Sequence, residues 1–292
     1  MEMVGHLNEA FDLEAQPDGT FLARSLAEVG EGDVVFGGQF VAQMLLAGNT
    51  VDLTKVVKSI QTLIGRPAVR QEPYTIDVEP MHSGRAFTTA VVTARQGGRL
   101  CARALVLLHQ PEADVIRHGR RAPTVPPSDE ATPYDGYRIG EGARTLGGRV
   151  QRIVDGVDVI SGETVAPPLL RVWARLDDAR PDPRHAQAFL AFESAGPDIA
   201  TAMLPHPGVG TASAHGTIST GIMTHTVTFH EASHAADWHL LEFSSPYAGN
   251  GRAYARGDAF TADGRLVASW TQDSIIRAFP EDTTSFGGRT VL

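Results

Sequence analysis

The sequence has a single cysteine, Cys101, no long apolar run and no excess of positive charge. One cysteine excludes an intrachain disulfide framework and a zinc site built from several cysteines. No window reaches the roughly 18 consecutive apolar residues of a membrane-spanning helix. Residues 1–10 lack the basic start and apolar core of a signal peptide. These absences predict a soluble, cytoplasmic protein that does not bind a membrane.

The charge balance bears on the partners of the protein. The chain has 34 acidic and 25 basic residues, a net charge of −9 and a sequence pI near 5.6. Binding to a nucleic-acid backbone requires a basic surface, so the balance argues against nucleic acid as the main partner. Apolar residues make up 42% of the 292 residues, which is enough for the core of one large domain or of two smaller ones.

An internal repeat favours two units. The segment Gly84-Arg85-Ala86-Phe87 is followed by Gly98-Arg99-Leu100, and the segment Gly251-Arg252-Ala253-Tyr254 is followed by Gly264-Arg265-Leu266. Gly84 and Gly251 are 167 residues apart, and Gly98 and Gly264 are 166 residues apart. Two ordered matches at nearly equal spacing predict a tandem duplication.

Each copy is predicted to contain a β-hairpin preceded by a further strand. Apolar alternation flanks Gly97-Gly98 in the first copy and Asp263-Gly264 in the second, and glycine at these places permits the positive φ of a hairpin turn. The predicted strands are residues 74–81, 87–94 and 100–108 in the first half and 238–244, 254–261 and 266–276 in the second.

Each half also contains one predicted central helix. Residues 40–47 are apolar at helical spacing, as expected for a helix wrapped by a sheet. In the second half, residues 186–192 and 198–204 have helical composition and are separated by Gly196-Pro197. Residues 118–141 are rich in proline, glycine and charged residues, which is typical of a linker. A duplicated unit of one helix and several antiparallel strands describes an α+β protein with two antiparallel sheets, each wrapping a central helix.

An ordered set of motifs resembles one known family. In the first half the motifs are Val35-Phe36-Gly37-Gly38-Gln39, Arg66-Pro67 and Ser83-Gly84-Arg85-Ala86-Phe87. In the second half they are Leu204-Pro205-His206, Phe229-His230, Ser244-Ser245-Pro246, Gly251-Arg252-Ala253-Tyr254 and the stretch from Asp263 to Gln272. Between residues 30 and 278 the sequence resembles acyl-CoA thioesterase II proteins of the TesB type.

The resemblance implies a tandem (double) hotdog fold. It divides the chain into an N-terminal hotdog (1–117), a linker (118–165) and a C-terminal hotdog (166–292). It also implies hydrolysis of fatty acyl-CoA to free fatty acid and coenzyme A by direct attack of water, with no cofactor and no metal. Acyl-CoA is the implied partner, and a homo-oligomer (a dimer of double hotdogs) is the implied assembly.

In that family an Asp, a Thr or Ser, and a Gln of the second hotdog position the attacking water. The resemblance places the Gln at Gln272. The acid falls on Asp198 when counted back from Gln272, and on Ala195 when counted back from Leu204-Pro205-His206. The hydroxyl position falls on Ile222, and Thr224, two residues on and therefore expected on the same strand face, is the predicted substitute. The predicted catalytic residues are thus Asp198, Thr224 and Gln272.

A competing motif is the stretch from His230 to His234, which matches the zinc-protease pattern H-E-x-x-H. The pattern needs a helix, so that both histidines share one face. Thr224, Thr226 and Thr228 alternate with more apolar residues just before it, which predicts a strand instead. The sequence also has no G-x-S-x-G motif, and Cys101 is predicted to be a small core residue.

The departures at Ala195 and Ile222 leave a second functional interpretation open. A hotdog protein that has lost catalytic groups could bind acyl-CoA or a partner without turning it over. A hotdog hydratase is a third alternative, but no Asp-x-x-x-x-His arrangement occurs on the expected segment.

Overall fold

The structure, a computed structural model, describes residues 3–27, 33–214 and 216–279. In these ranges the chain forms four α-helices and thirteen β-strands. The helices are α1 (Leu7–Ala10), α2 (Gly37–Asn49), α3 (Pro183–Glu193) and α4 (Pro197–Met203). The strands are β1 (Glu14–Ala15), β2 (Phe21–Ala23), β3 (Val56–Ile64), β4 (Tyr74–Ser83), β5 (Phe87–Gln96), β6 (Arg99–His109), β7 (Thr132–Tyr134), β8 (Arg149–Ile153), β9 (Leu169–Leu176), β10 (Ile218–Phe229), β11 (His239–Gly249), β12 (Arg252–Thr261) and β13 (Leu266–Ala278).

The strands form one continuous antiparallel sheet in the order β1-β2-β4-β5-β6-β3-β10-β13-β12-β11-β9-β8-β7. The prediction of two antiparallel sheets is therefore wrong in the number of sheets, because the strands of both halves belong to one sheet. The two halves are joined where β3 pairs with β10, from Ser59 opposite Thr228 to Leu63 opposite Thr224. From β2 to β9 the order reads as a palindrome, because each strand of the first half has a counterpart at the mirrored place in the second.

The predicted hairpins are confirmed. β5 and β6 pair around Gly97-Gly98, and both glycines have positive φ values of 55° and 77°. β12 and β13 pair around a turn in which Gly264 has a φ of 86°. Glycine adopts these left-handed conformations without the steric cost that a Cβ would add.

The helices lie against the sheet and against each other. Helix α2 is buried at every position except Gly37 and Leu46, as the apolar sequence predicts, and it packs against α3 as well as β3 to β6. In the second half the helix is interrupted: α3 ends at Glu193 and α4 restarts with Pro197 in its first turn. Proline at this position is favourable, since the first helical N–H groups have no partner within the helix.

The predicted linker contributes to the sheet. Within residues 118–165, β7 and β8 pair with each other, and β8 also pairs with β9. The domain boundaries at 117/118 and 165/166 stay a prediction. The outer ends of the two predicted domains, residues 1–2 and 280–292, lie outside the described residues. Across the described part of the chain, none of the helices is both long enough and apolar enough to cross a bilayer.

Candidate active site

The start of α2 approaches the second half of the chain closely. A methyl group placed on Gly38 would lie 2.7 Å from the carbonyl oxygen of Phe192 and 3.0 Å from the Cβ of Ala195. A methyl group on Gly37 would lie 2.8 Å from the Cδ1 of Ile222. No side chain caps this helix, and its first turn contains no acidic residue. The first turn of α2 therefore packs against Ala195 and Ile222, and the dipole of a helix favours negative charge near such a start.

The end of α3 is held in place by a buried ion pair. Glu193, whose side chain is 1% exposed, pairs with Arg149 of β8 and accepts a hydrogen bond from the Gln151 amide at 2.7 Å. The Arg149 guanidinium also lies 4.8 Å from the centre of the Phe192 ring. Removing one partner of a buried pair leaves an uncompensated charge, so this contact fixes the chain just before Ser194 and Ala195.

Gln272 lies on the buried face of β13. Its side chain is 1% exposed, and its Nε2 donates a hydrogen bond to Ser274 Oγ at 3.0 Å. Its Oε1 has no hydrogen-bond partner among the described residues. Ser274 lies directly opposite Ile222 in the β10–β13 register. The hydrogen bond to Ser274 therefore connects Gln272 to the residue opposite Ile222, which packs against Gly37.

The sequence analysis did not identify His225, which is fully buried directly opposite Gln272. Its Nε2 lies 2.8 Å from the hydroxyl of Ser194, the residue before Ala195. Burial lowers the pKa of His225 to about 3, against a smaller raising effect from the Gln272 side chain. The available signal was the strand pattern, because His225 shares its face with the apolar Val227 and Phe229.

Thr224 does not join these residues. A β-bulge between Ile222 and Thr224 interrupts the alternation of faces, so the expectation that both share a face is wrong. Thr224 Oγ1 instead donates to Asp273 Oδ2 at 3.0 Å on the solvent side of the sheet. His225 occupies the inward position that strict alternation would give to Thr224.

Asp198 is buried in the first turn of α4, and its side chain is 1% exposed. Its Oδ2 accepts a hydrogen bond from Trp270 Nε1 at 3.2 Å, and its Oδ1 has no partner among the described residues. Burial raises the pKa of Asp198 well above its usual range, which the bond from Trp270 only partly offsets. Trp270 lies two residues before Gln272, so Asp198 is near the candidate site but does not bond Gln272.

The zinc-protease motif does not lie on a helix. β10 runs as far as Phe229, and residues 230–234 are not helical, as the sequence predicts. His230 bonds Ser269 Oγ at 2.9 Å, whereas Glu231 pairs with Arg117 at 2.7 Å. In the described ranges, no three His, Cys, Asp or Glu side chains are arranged to hold a metal ion.

A small cleft of about 140 Å³ opens beside this region. It includes Phe36, the residue before α2, and Gly196-Pro197 at the start of α4. The ring of Phe36 packs edge-on against that of Phe192 at 5.0 Å between centres. Gln272 is not among the residues that line this cleft.

Comparisons with known proteins agree with this arrangement. The family models described as the acyl-CoA thioesterase N-terminal and C-terminal domains match residues 27–109 and 121–276. Acyl-CoA thioesterase 2 of Haemophilus influenzae is 27% identical over 259 residues, covering 83% of this chain and 87% of its own.

Solved structures show the same fold. The acyl-CoA thioesterase II TesB2 of Mycobacterium marinum matches with a TM-score of 0.76 and 27% identity, covering 94% of this chain and 99% of its own. A protein of unknown function with a hot dog fold from Alicyclobacillus acidocaldarius matches with a TM-score of 0.73 and 19% identity, covering 95% and 100%. The fold is therefore a hotdog fold, and since the two domain models match more than half of its residues, the chain belongs to the acyl-CoA thioesterase family.

Proposed function

We propose that this protein hydrolyses fatty acyl-CoA to a free fatty acid and coenzyme A by direct attack of water on the thioester carbonyl. The main support is Gln272, the one residue of the family's water-positioning set that the sequence retains without ambiguity. Its amide is buried, held by Ser274 and left with an unpartnered Oε1. An oriented acceptor of this kind can fix the direction of a water molecule.

The start of α2 is the proposed binding site for the carbonyl oxygen. As water adds to the thioester, negative charge develops on that oxygen, and uncapped N–H groups at a helix start can stabilise it. Because Gly37 and Gly38 have no side chains, the start of α2 approaches Ile222 and Ala195 closely. The cleft beside Phe36 is the proposed entry for the reacting end of the substrate.

Among the three predicted catalytic residues, we propose Gln272 alone as a group that contacts the water. Thr224 bonds Asp273 on the solvent side of the sheet. Asp198 bonds Trp270, and burial favours its uncharged form. Ala195, not Asp198, lies against the start of α2, which favours the alignment that puts the family acid at Ala195.

A binder without turnover is the alternative function. Ala195 and Ile222 face the start of α2 with apolar side chains, where the family has an acid and a hydroxyl. Free-thiol release from acyl-CoA esters of graded chain length separates the two functions. Hydrolysis that depends on Gln272 supports the thioesterase. Tight binding of a non-hydrolysable thioether analogue, with no thiol released from any ester, supports the binder.

The finer architecture and assembly are part of the same proposal. The palindromic strand order and the repeat support a double hotdog with units at 1–117 and 166–292, joined by 118–165. We propose a dimer of double hotdogs, which light scattering on the purified protein tests. A role in fatty-acid metabolism and a cytoplasmic location, with Cys101 a free buried thiol, complete the proposal; cell fractionation tests the location.

A further inference from the structure

An open groove of about 480 Å³ lies at the end of α4 that is farther from the candidate active site. The groove is formed by the end of α4 and the loop after it, the start of β10, the end of β13 and the turn between β11 and β12. Pro197, at the start of α4, lines the cleft beside Phe36, whereas Met203, at its end, lines the groove. At roughly 1.5 Å per residue these two positions are about 9 Å apart along the helix. The groove and the cleft share no lining residue, so they are separate cavities.

Most of the groove is lined by apolar side chains. Ile218 and Ile276 line it from the sheet, and Met203 and Val209 line it from α4 and the loop after α4. Three small residues add to the apolar lining, namely Ala202, Ala248 and Ala278. Open apolar surfaces of this kind mark binding sites, and small-molecule pockets typically have volumes of roughly 300–1,000 Å³. The size and the lining of the groove therefore fit an apolar chain.

Two arginines also line the groove, Arg252 at the start of β12 and Arg277 near the end of β13. Arg252 Nη1 donates to the carbonyl oxygen of Gly251 at 2.9 Å, and Arg277 Nε is buried without a hydrogen-bond partner. Among the residues that the structure describes, neither guanidinium pairs with a carboxylate. A buried donor that is left without an acceptor costs free energy. The groove therefore offers charged N–H donors to an anion.

The combination of apolar lining and arginine selects the chemistry of the ligand. None of the described residues that line the groove is an Asp or a Glu, although the chain as a whole has a net charge of −9. The planar fork of a guanidinium matches a carboxylate, which can accept two N–H bonds from it. Coenzyme A would bring several phosphate charges, whereas the groove offers two arginines. An apolar chain with one carboxylate fits the groove better than an acyl-CoA does.

We propose that this groove binds a free fatty acid, with its carboxylate on Arg252 and Arg277 and its chain against Met203, Ile218 and Ile276. The site is separate from the cleft that the proposed function assigns to the reacting end of acyl-CoA. The inference does not rest on that function, because the binding requires no turnover. A free fatty acid is also the class of product that the proposed hydrolysis releases, so the groove gives the protein a second place at which to hold it.

Titration calorimetry with dodecanoate, below the concentration at which it forms micelles, tests the role of the arginines. We expect one dodecanoate per chain in the wild-type protein. Replacing both Arg252 and Arg277 by glutamine should weaken the binding at least about tenfold, since it removes hydrogen bonds to a charged group. The matched control is Arg85→Gln, at the position equivalent to Arg252 in the internal repeat, because Arg85 lines neither the groove nor the cleft. Equal affinities in the wild-type protein and the double variant overturn the inference.

Three further probes test the two parts of the ligand. Dodecanol has the same chain without the charge, acetate has the carboxylate without the chain, and dodecyl phosphate has a different anionic head. Dodecanol and acetate should both bind much more weakly than dodecanoate, because each lacks one of the two contacts. Dodecanol that binds as tightly as dodecanoate removes the arginines from the site, and dodecyl phosphate that binds more tightly overturns the assignment to a carboxylate.

The position of the bound acid is tested by NMR of methionine methyl groups. Dodecanoate should shift the Met203 methyl signal and leave that of Met44, which is buried in α2, unchanged. Ala248→Trp should abolish the shift by filling the groove, and because Ala248 is exposed the variant should still fold. A Met203 signal that dodecanoate does not move overturns the inference.

A thioether analogue of acyl-CoA separates the inference from the proposed function. At saturation it should leave the binding of dodecanoate unchanged, because the two ligands occupy different cavities. Displacement of dodecanoate by the analogue would place the acid in the catalytic cleft and overturn the inference, with the thioesterase assignment intact. A wild-type protein that releases no thiol from any ester but binds dodecanoate beside Met203 overturns the proposed function and supports the inference.

Discussion

The methyl group of Ala195 lies against Gly38 at the start of α2, with only 3.0 Å between it and the position of a Gly38 Cβ. Counting along the sequence places the family acid on either Ala195 or Asp198. The contact with Gly38 singles out Ala195 as the residue that faces the helix start, whereas Asp198 is engaged by Trp270. On the proposed alignment the protein has an apolar residue where the family has a carboxylate, and we propose that its hydrolysis depends on other groups.

Replacement of Gln272 by alanine should lower kcat for thiol release about a hundredfold or more, since it removes one positioned acceptor. The matched control is Thr224→Val, which removes a hydroxyl from the solvent side of the neighbouring strand. We expect that variant to keep nearly full activity. Equal losses in the two variants, with both folded by circular dichroism, would contradict the assignment of Gln272.

Asp198→Asn should stabilise the protein at pH 7 and cost less than about tenfold in kcat. Because burial raises the pKa of Asp198 in the folded state above its ordinary value of 3.8, its contribution to stability is present below that value and lost as pH rises. Asparagine removes the cost of ionisation and can still accept from Trp270. Denaturant unfolding at pH 7 and pH 4 measures the gain, which should shrink towards pH 4. A loss of activity as large as that of Gln272→Ala would restore Asp198 as the catalytic acid.

Two glycines of α2 offer a test of the helix start. Gly38→Ala places a methyl group 2.7 Å from the Phe192 carbonyl oxygen, and Gly48→Ala places one 2.8 Å from a Val106 methyl group. Both should destabilise the fold by roughly 1–3 kcal/mol through overpacking. Only Gly38→Ala should also lower kcat, because it displaces the proposed carbonyl-binding N–H groups. Equal kcat values in the two variants would remove the start of α2 from the mechanism.

Two buried histidines should make the protein acid-sensitive. Burial lowers the pKa of His225 to about 3 and that of His239 to about 4, from an ordinary value of 6.5. Below pH 6.5 the unfolded chain takes up protons that the folded protein does not, so the free energy of unfolding falls. Each histidine should contribute up to about 1.4 kcal/mol per pH unit between pH 6.5 and its folded pKa. Unfolding at pH 7 and pH 5 measures this slope, and His225→Gln and His239→Gln should each reduce it.

The zinc-protease motif should be irrelevant to hydrolysis. His230 is exposed after the end of β10 and bonds Ser269. We expect His230→Ala to keep activity within about twofold, and treatment with a chelator to change nothing. Stoichiometric zinc bound through His230 and His234, with activity that depends on it, would contradict the thioesterase mechanism proposed above.

Much of the fold was predictable from the sequence, because it depends on local patterns. The alternation around Gly97-Gly98 and Gly264 specifies hairpins, and the apolar stretch of α2 specifies a buried helix. The joining of the halves was not predictable in this way. The β3–β10 pairing depends on contacts between distant residues such as Ser59 and Thr228, and no local pattern encodes which edges meet.

The site was harder to predict, because one irregularity changes which residues face inward. Gln272 follows from its motif, but the β-bulge after Ile222 reverses the faces of the residues that follow. A one-residue shift in a strand moves every later side chain to the other face. Counting along the chain therefore selected Thr224, whereas the folded strand presents His225. The position of Ser194 follows from the end of α3, which is held by contacts of Glu193 with β8.

The β3–β10 pairing has a consequence for the chain as an evolving molecule. Each half contributes one long strand to the centre of the sheet, and neither strand has a free edge while the halves stay together. Cutting the chain between them would expose two bare strand edges, which readily pair with other molecules and aggregate. The covalent connection keeps each edge beside its intended neighbour at high local concentration. It also lets the two copies diverge, because each half can accumulate its own substitutions while the pairing of β3 with β10 is kept.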